Sequence, residues 1–248
     1  MFDIALLILA GLAAGMLNAI AGGGTFISFP ALVWVGVPPI MANATATLTA
    51  LPGYLSSAWA YRHDMETQDP LPVLTVLIIA AIGGLAGAGL LLITSQDTFS
   101  ALVPWLLLLG TLVFGFGPVA MKHLHLKGKP PKAIAALVLF AVSIYGGYFN
   151  GGLGIMLLAA FGLMGLTNLH GMNGLKNLVS ALLSVVSVAA YAIAGLVAWD
   201  AAVVLALAQL SGGYVGARLA MKIEDTGKLR ISITLIGLTM AVLFFLRA

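Results

Sequence analysis

The sequence predicts an all-α polytopic membrane protein made of two inverted-topology repeats, each a broken-helix hairpin plus three transmembrane helices. Three observations carry that expectation: the composition, the run of long apolar segments, and a set of residues that recurs about 130 positions later. Of 248 residues, 61% are apolar and 8% charged, with mean hydropathy +1.11. Soluble domains average roughly 45–50% apolar and about 25% charged. Eleven Lys and Arg with eight Asp and Glu cannot cover the surface of a water-soluble chain this long. A soluble enzyme, a nucleic-acid binder and a disordered chain are therefore excluded. With no cysteine, disulfides, thiolate metal sites and Cys nucleophiles are excluded too.

An apolar helix needs about 20 residues to cross roughly 30 Å of hydrocarbon. The expected segments are 3–20, 24–36, 41–61, 71–93, 99–121, 133–150, 152–166, 172–197, 200–222 and 229–246. The first lacks a basic leader, opening Met1-Phe2-Asp3, and is read as mature protein rather than a signal peptide. Segments 24–36 and 152–166 are short for a crossing, and each follows a glycine cluster that interrupts a longer apolar run. The one basic run, Lys122 to Lys132, reads as a cytoplasmic connector. His123 and His125 within it lack the further ligands a metal site would need.

The repeat shows as Gly15, Asn18 and Gly22 matched by Gly147, Asn150 and Gly154, an offset of 132. Asn43 answers Asn173, Asp69 answers Asp200, and Gly83-Gly84-Leu85-Ala86-Gly87-Ala88 answers Gly212-Gly213-Tyr214-Val215-Gly216-Ala217. The chain divides into a first repeat, 1–121, the connector 122–132, and a second repeat, 133–248. With the connector in the cytoplasm, Arg62 and the cluster Arg218, Lys222, Lys228 and Arg230 also fall inside, and of the Lys and Arg only Arg247 falls outside. This distribution satisfies the positive-inside rule. It makes 133–166 a hairpin from the cytoplasmic side and 1–36 the matching hairpin from the outside. Both termini are then periplasmic. Inverted repeats with helices broken near the bilayer centre are an architecture of secondary transporters, which bind substrate beside the breaks.

A helix restarting at Gly24 or Thr25, after Gly22 and Gly23, aims free N–H groups and a positive dipole end at the break. That makes it a candidate anion site. Gly152 and Gly154 flank the second break. The amides of Asn18 and Asn150 either donate to a substrate oxygen or cap the freed backbone. Asn43, Thr45, Thr47 and Thr49 open the next span, answered by Asn173, Lys176 and Asn177. Each Thr alone is weak, because hydroxyls in membrane helices often bond back to their own turn. Lys176 lies about one turn, roughly 6 Å, inside its span. It either snorkels to the cytoplasmic surface or meets an anion as counter-charge. None of the eight acidic residues falls deep in an expected span, and neither a P-loop nor a hydrolase motif is present. A membrane-embedded enzyme would need a more reactive side chain at the breaks than Asn, Thr, Ser and one Lys.

At these positions the chain resembles the TauE/SafE family of sulfite exporters, the toluene-sulfonate uptake permease family. The resemblance covers nearly the whole chain. It rests on the Asn18 to Gly24 break with Pro30 downstream, on Ala42-Asn43-Ala44-Thr45-Ala46-Thr47, on Tyr145 to Gly154, and on Asn173-Gly174-Leu175-Lys176-Asn177. The second break departs from the pattern in lacking three consecutive glycines, and Gly162 stands where the first half has Pro30. The resemblance implies a transporter, not an enzyme, moving sulfite, sulfoacetate or a related sulfonate outward across a bacterial inner membrane by alternating access. An uptake permease or channel for small organic anions on the same scaffold is the alternative. The expected partners are a small anion and the lipid bilayer, with no nucleic acid, no metal and no cofactor; the oligomeric state stays open, with a homodimer as one form.

Overall fold

The computed structural model describes residues 2–20, 22–62, 71–123, 130–166, 168–220 and 227–246. Among these residues the chain is all helix: α1 (Phe2–Ile20), α2 (Thr25–Trp34), α3 (Pro39–Ala60), α4 (Val73–Ile93), α5 (Gln96–His123), α6 (Lys132–Tyr148), α7 (Leu153–Leu163), α8 (Leu169–Ile193), α9 (Trp199–Ala220) and α10 (Gly227–Phe245). Each expected apolar segment overlaps one helix, with ends that differ by up to four residues. Most of the basic connector (124–129), Asp69 within 63–70, and Lys222 within 221–226 lie outside the described residues. Among the described residues three stretches are long and apolar enough to cross a membrane: Val73–Ile93, Gln96–Val113 and Gly171–Ile193.

Local chemistry sets the helix ends. Pro38, Pro72 and Pro131 precede α3, α4 and α6 with ψ between 142° and 148°, the extended setting of a residue just before a helix. At the other end, α2, α7 and α8 stop on Gly36, Gly165 and Gly195, all at positive φ. Behind each, an N–H folds back: Val37 to the Leu32 carbonyl (3.0 Å), Leu166 to Phe161 (3.1 Å) and Leu196 to Tyr191 (2.9 Å). This reverse turn uses carbonyls that the helix end would otherwise leave open.

Packing inverts the pattern of a soluble protein. On α4, Leu74, Ile78, Ile82 and Leu85 are exposed, while Val76, Ala80, Gly83, Gly84, Gly87, Ala88 and Leu91 are buried. Lipid tails reward large apolar side chains outside, so helices associate through small residues that let backbones approach. α1 packs on α9, and α6 on α4. A Cβ on Gly15 would sit 2.7 Å from the Gly213 nitrogen, and one on Gly216 2.6 Å from the Met16 Cα. In the other crossing, a Cβ on Gly83 would sit 2.6 Å from the Ser143 Cβ, and one on Gly147 2.8 Å from the Gly84 Cα. Further main pairings are α3 with α8, α3 with α9, α4 with α8, and α5 with α10. Exchanging α1–α5 with α6–α10 in order returns this same set. An aromatic cluster ties the two halves together: Phe29 meets Phe149 edge-on at 5.6 Å and stacks on Phe244 at 5.5 Å.

Filling either crossing is expected to destabilise the fold. Gly15→Leu or Gly147→Leu must push backbone aside and should cost about 3 kcal/mol or more. Gly89→Leu, on the α4 side with open space, should leave the unfolding temperature in detergent near the wild-type value. Thermal unfolding of the three variants checks this.

Candidate functional site

In the first hairpin α1 ends at Ile20 and α2 begins at Thr25, in the second α6 ends at Tyr148 and α7 begins at Leu153, and both restart from a glycine. Gly24 precedes α2 and Gly152 precedes α7, so no side chain caps either first turn. Gly22 and Gly152 hold φ of +81° and +77°, left-handed values that any Cβ would strain. The Gly22 N–H closes the end of α1 on the carbonyls of Leu17 (3.0 Å) and Asn18 (3.2 Å).

The two breaks touch. A Cβ on Gly22 would lie 2.9 Å from the Gly154 Cα, and one on Gly154 2.8 Å from the Gly22 Cα. The short helices α2 and α7 therefore begin at the same place, where the positive ends of their dipoles add. Lys176 arrives there from α8, its Cδ 3.4 Å from the position of that Gly22 Cβ. It is 0% exposed, so it does not snorkel. Its ammonium donates to Asn173 Oδ1 at 2.9 Å, and among the described residues no carboxylate pairs with it.

The remaining polar groups divide into committed and open ones. Asn18 Oδ1 accepts the Gly24 N–H at 2.7 Å, the capping role, while its Nδ2 has no partner. Asn150 Oδ1 accepts from the Tyr54 hydroxyl at 3.4 Å, and its Nδ2 is open. Tyr54 also neighbours Thr25, so one α3 phenol spans both breaks. Asn43 Nδ2 donates to the Tyr148 carbonyl at the end of α6 (2.9 Å), leaving its Oδ1 open. Thr47 is spent on its own helix, donating to the Asn43 carbonyl (2.8 Å). Asn177 is fully buried with both amide atoms open. Gly23 sits between Phe26 and Ile155. Tyr145 closes the second break by donating to the Gly151 carbonyl at 2.6 Å.

Asn18, Gly22, Gly24, Asn43, Asn150, Gly154, Asn173 and Lys176 thus lie at or beside the breaks, with two differences from expectation. Asn18 and Asn150, matched in sequence, have unlike settings. Asn18 is in the last turn of α1, and Asn150 is in the turn after α6. The cause is length: 21 residues separate Gly15 from Gly36, and 18 separate Gly147 from Gly165. The surplus forms an extra turn of α1, which runs five residues past Gly15, whereas α6 runs one past Gly147. The second difference is Thr47, which offers nothing beyond its own backbone. Sequence reasoning missed Tyr54, Ser180, Ser184 and Gln209, all buried. For Tyr54, Ser180 and Ser184 the signal was a polar residue at three- or four-residue steps inside otherwise apolar helices; Gln209 stands as a lone amide in the apolar run of α9. Gln209 donates to Thr49 Oγ1 at 2.8 Å, tying α9 to α3.

The chain is similar to known proteins over most of its length. A family model described as sulfite exporter TauE/SafE matches residues 7–244. A probable membrane transporter protein of Haemophilus influenzae is 30% identical over 228 residues, covering 88% of this chain and 85% of that protein. The probable membrane transporter protein ORF9 of a Sinorhizobium species is 29% identical over 221 residues (88% and 83%). The probable membrane transporter protein YfcA of Escherichia coli K12 is 24% identical over 220 (88% and 81%). On the family match and on the fold it accompanies, the chain belongs to the TauE/SafE sulfite exporter family of membrane transporters.

Proposed function

We propose that the protein exports a small sulfur oxyanion or organosulfonate, of the sulfite or sulfoacetate class, across a bacterial inner membrane by alternating access. The observation that carries this reading is the buried Lys176 ammonium at the meeting of two helix starts, with Asn173 as its hydrogen-bond partner. Burying an ammonium without an anion costs several kcal/mol. An oxyanion placed there would receive the lysine charge, the positive dipole ends of α2 and α7, and the open amides of Asn18, Asn150 and Asn177. Sulfite and sulfonates offer several oxygens to such a donor set.

The transport mode rests on the two halves. In this reading residues 1–121 and 133–248 are inverted repeats joined by a cytoplasmic connector, with both termini periplasmic. The exchangeable packing, the paired glycine crossings and the Gly22–Gly154 contact between breaks support it. Rocking of one half against the other around the shared site would expose the anion to each side in turn. Moving one negative charge outward is favoured by about 2.3 kcal/mol per 100 mV, equivalent to a gradient of roughly 50-fold. Export of a monoanion down that potential needs no embedded carboxylate.

Two measurements test the reading. In proteoliposomes, sulfite or sulfoacetate efflux should rise when the receiving side is made positive; flux indifferent to the imposed potential rejects the uniport mode. Lys176→Met should weaken sulfoacetate binding about 100-fold, roughly 3 kcal/mol, in a variant that still melts cooperatively. Unchanged affinity removes the lysine from the site.

A further inference from the structure

Helix α8 carries a second polar feature that continues away from Lys176. Asn173, Asn177, Ser180, Ser184, Ser187 and Tyr191 follow one another at steps of three or four. At 100° per residue they occupy one stripe about 80° wide, with Lys176 on its edge. Asn177, Ser180 and Ser184 are 0–1% exposed, and their side-chain polar atoms have no hydrogen-bond partner. Ser187 neighbours the Tyr191 phenol.

Two comparisons within the molecule make these open groups informative. Hydroxyls buried in membrane helices ordinarily donate to the carbonyl one turn back. Ser143 does so to Leu139 (2.7 Å) and Thr47 to Asn43 (2.8 Å), but Ser180 and Ser184 do not. The matching stripe on α3 reads Asn43, Thr47, Ala50, Tyr54, Ser57 and Tyr61 at the same steps. There Asn43 holds the α6 terminus, Thr47 its own helix, and Tyr54 holds Asn150, while Ala50 is apolar where α8 has Ser180. On α8 the two ends of the stripe are committed, Asn173 to the Lys176 ammonium and Tyr191 to the Gly147 carbonyl; the residues between them, Asn177, Ser180, Ser184 and Ser187, are open. A buried open hydroxyl is destabilising unless something occupies it.

We infer that Asn177, Ser180 and Ser184 are further substrate contacts, a donor track on α8 along which the oxyanion passes to and from Lys176. This rests on the anion-export reading. Ser184 lies about 12 Å along the axis from Lys176, two helical turns, so the track extends the lysine site toward the far end of α8. Uncharged donors suit a path beyond a charged binding point, because they hold oxyanion oxygens without trapping them. The two halves then differ in role: α3 is scaffold, and α8 faces the substrate.

The chain has no cysteine, so single cysteines report accessibility on the natural background. Ser180→Cys and Ser184→Cys should react with the anionic reagent 2-sulfonatoethyl methanethiosulfonate in proteoliposomes, and sulfoacetate should slow that reaction at least fivefold. Val185→Cys, on an exposed face of α8, should stay unlabelled because charged reagents do not enter lipid. In parallel, the double variant Ser180→Ala, Ser184→Ala should cut subsaturating sulfoacetate flux about tenfold, with unfolding unchanged and with Ser143→Ala behaving as wild type. Failure of the charged reagent to label either serine position, equal labelling at position 185, or labelling that sulfoacetate does not slow although the wild type binds it, overturns the track alone. A wild-type protein that neither binds nor moves sulfite or sulfoacetate overturns the export reading, and the track with it.

Discussion

Lipid hydrocarbon offers no hydrogen bonds, so a helix interrupted inside a membrane-spanning fold must find every partner within the protein. Most of this structure follows from that constraint. Asn18 turns its oxygen to the Gly24 N–H, Tyr145 reaches the Gly151 carbonyl, and Asn43 crosses from α3 to the Tyr148 carbonyl. Two of these partners come from the helix that the break interrupts, α1 and α6, and the third from α3, which must therefore pack beside the end of α6.

The same constraint explains what is left open. A break sealed completely would be inert structure. Here Asn18 and Asn150 use their oxygens internally and leave their Nδ2 groups free, while Asn43 does the reverse and leaves its Oδ1 open. The charge at the break comes from the Lys176 ammonium and the two glycine-started helices. Both are positive, which is the basis of the anion reading proposed above.

Much of this was legible in the sequence, for physical reasons. Helix positions followed from apolar runs, and the breaks from glycine clusters that no continuous span would carry. Lys176 stood out because a cation one turn inside an apolar segment is costly; that it stays buried rather than snorkelling depends on Gly22, contributed by a distant segment. The differing roles of Asn18 and Asn150 were hidden because the extra turn of α1 is a length effect, invisible to matching residues at a fixed offset. Thr47 and Ser180 show the same limit. Both are small hydroxyl residues in apolar helices, and only the carbonyl one turn back decides whether the hydroxyl is spent or available.

The proposed duplication accounts for where the halves diverge. In that reading two copied halves that meet at their breaks present nearly the same surface twice, and the proposed anion needs one full set of donors rather than two. The first half puts its polar residues into holding the junction: Tyr54 reaches across to Asn150, and Thr49 takes the Gln209 amide. The second half replaces Ala46 by Lys176, Ala50 by Ser180 and Tyr54 by Ser184, exchanging packing and bridging groups for a charge and short hydroxyls. Those replacements lie within eight residues on one side of one helix. In the proposed reading, selection for substrate and selection for a stable junction act on different helices without opposing each other.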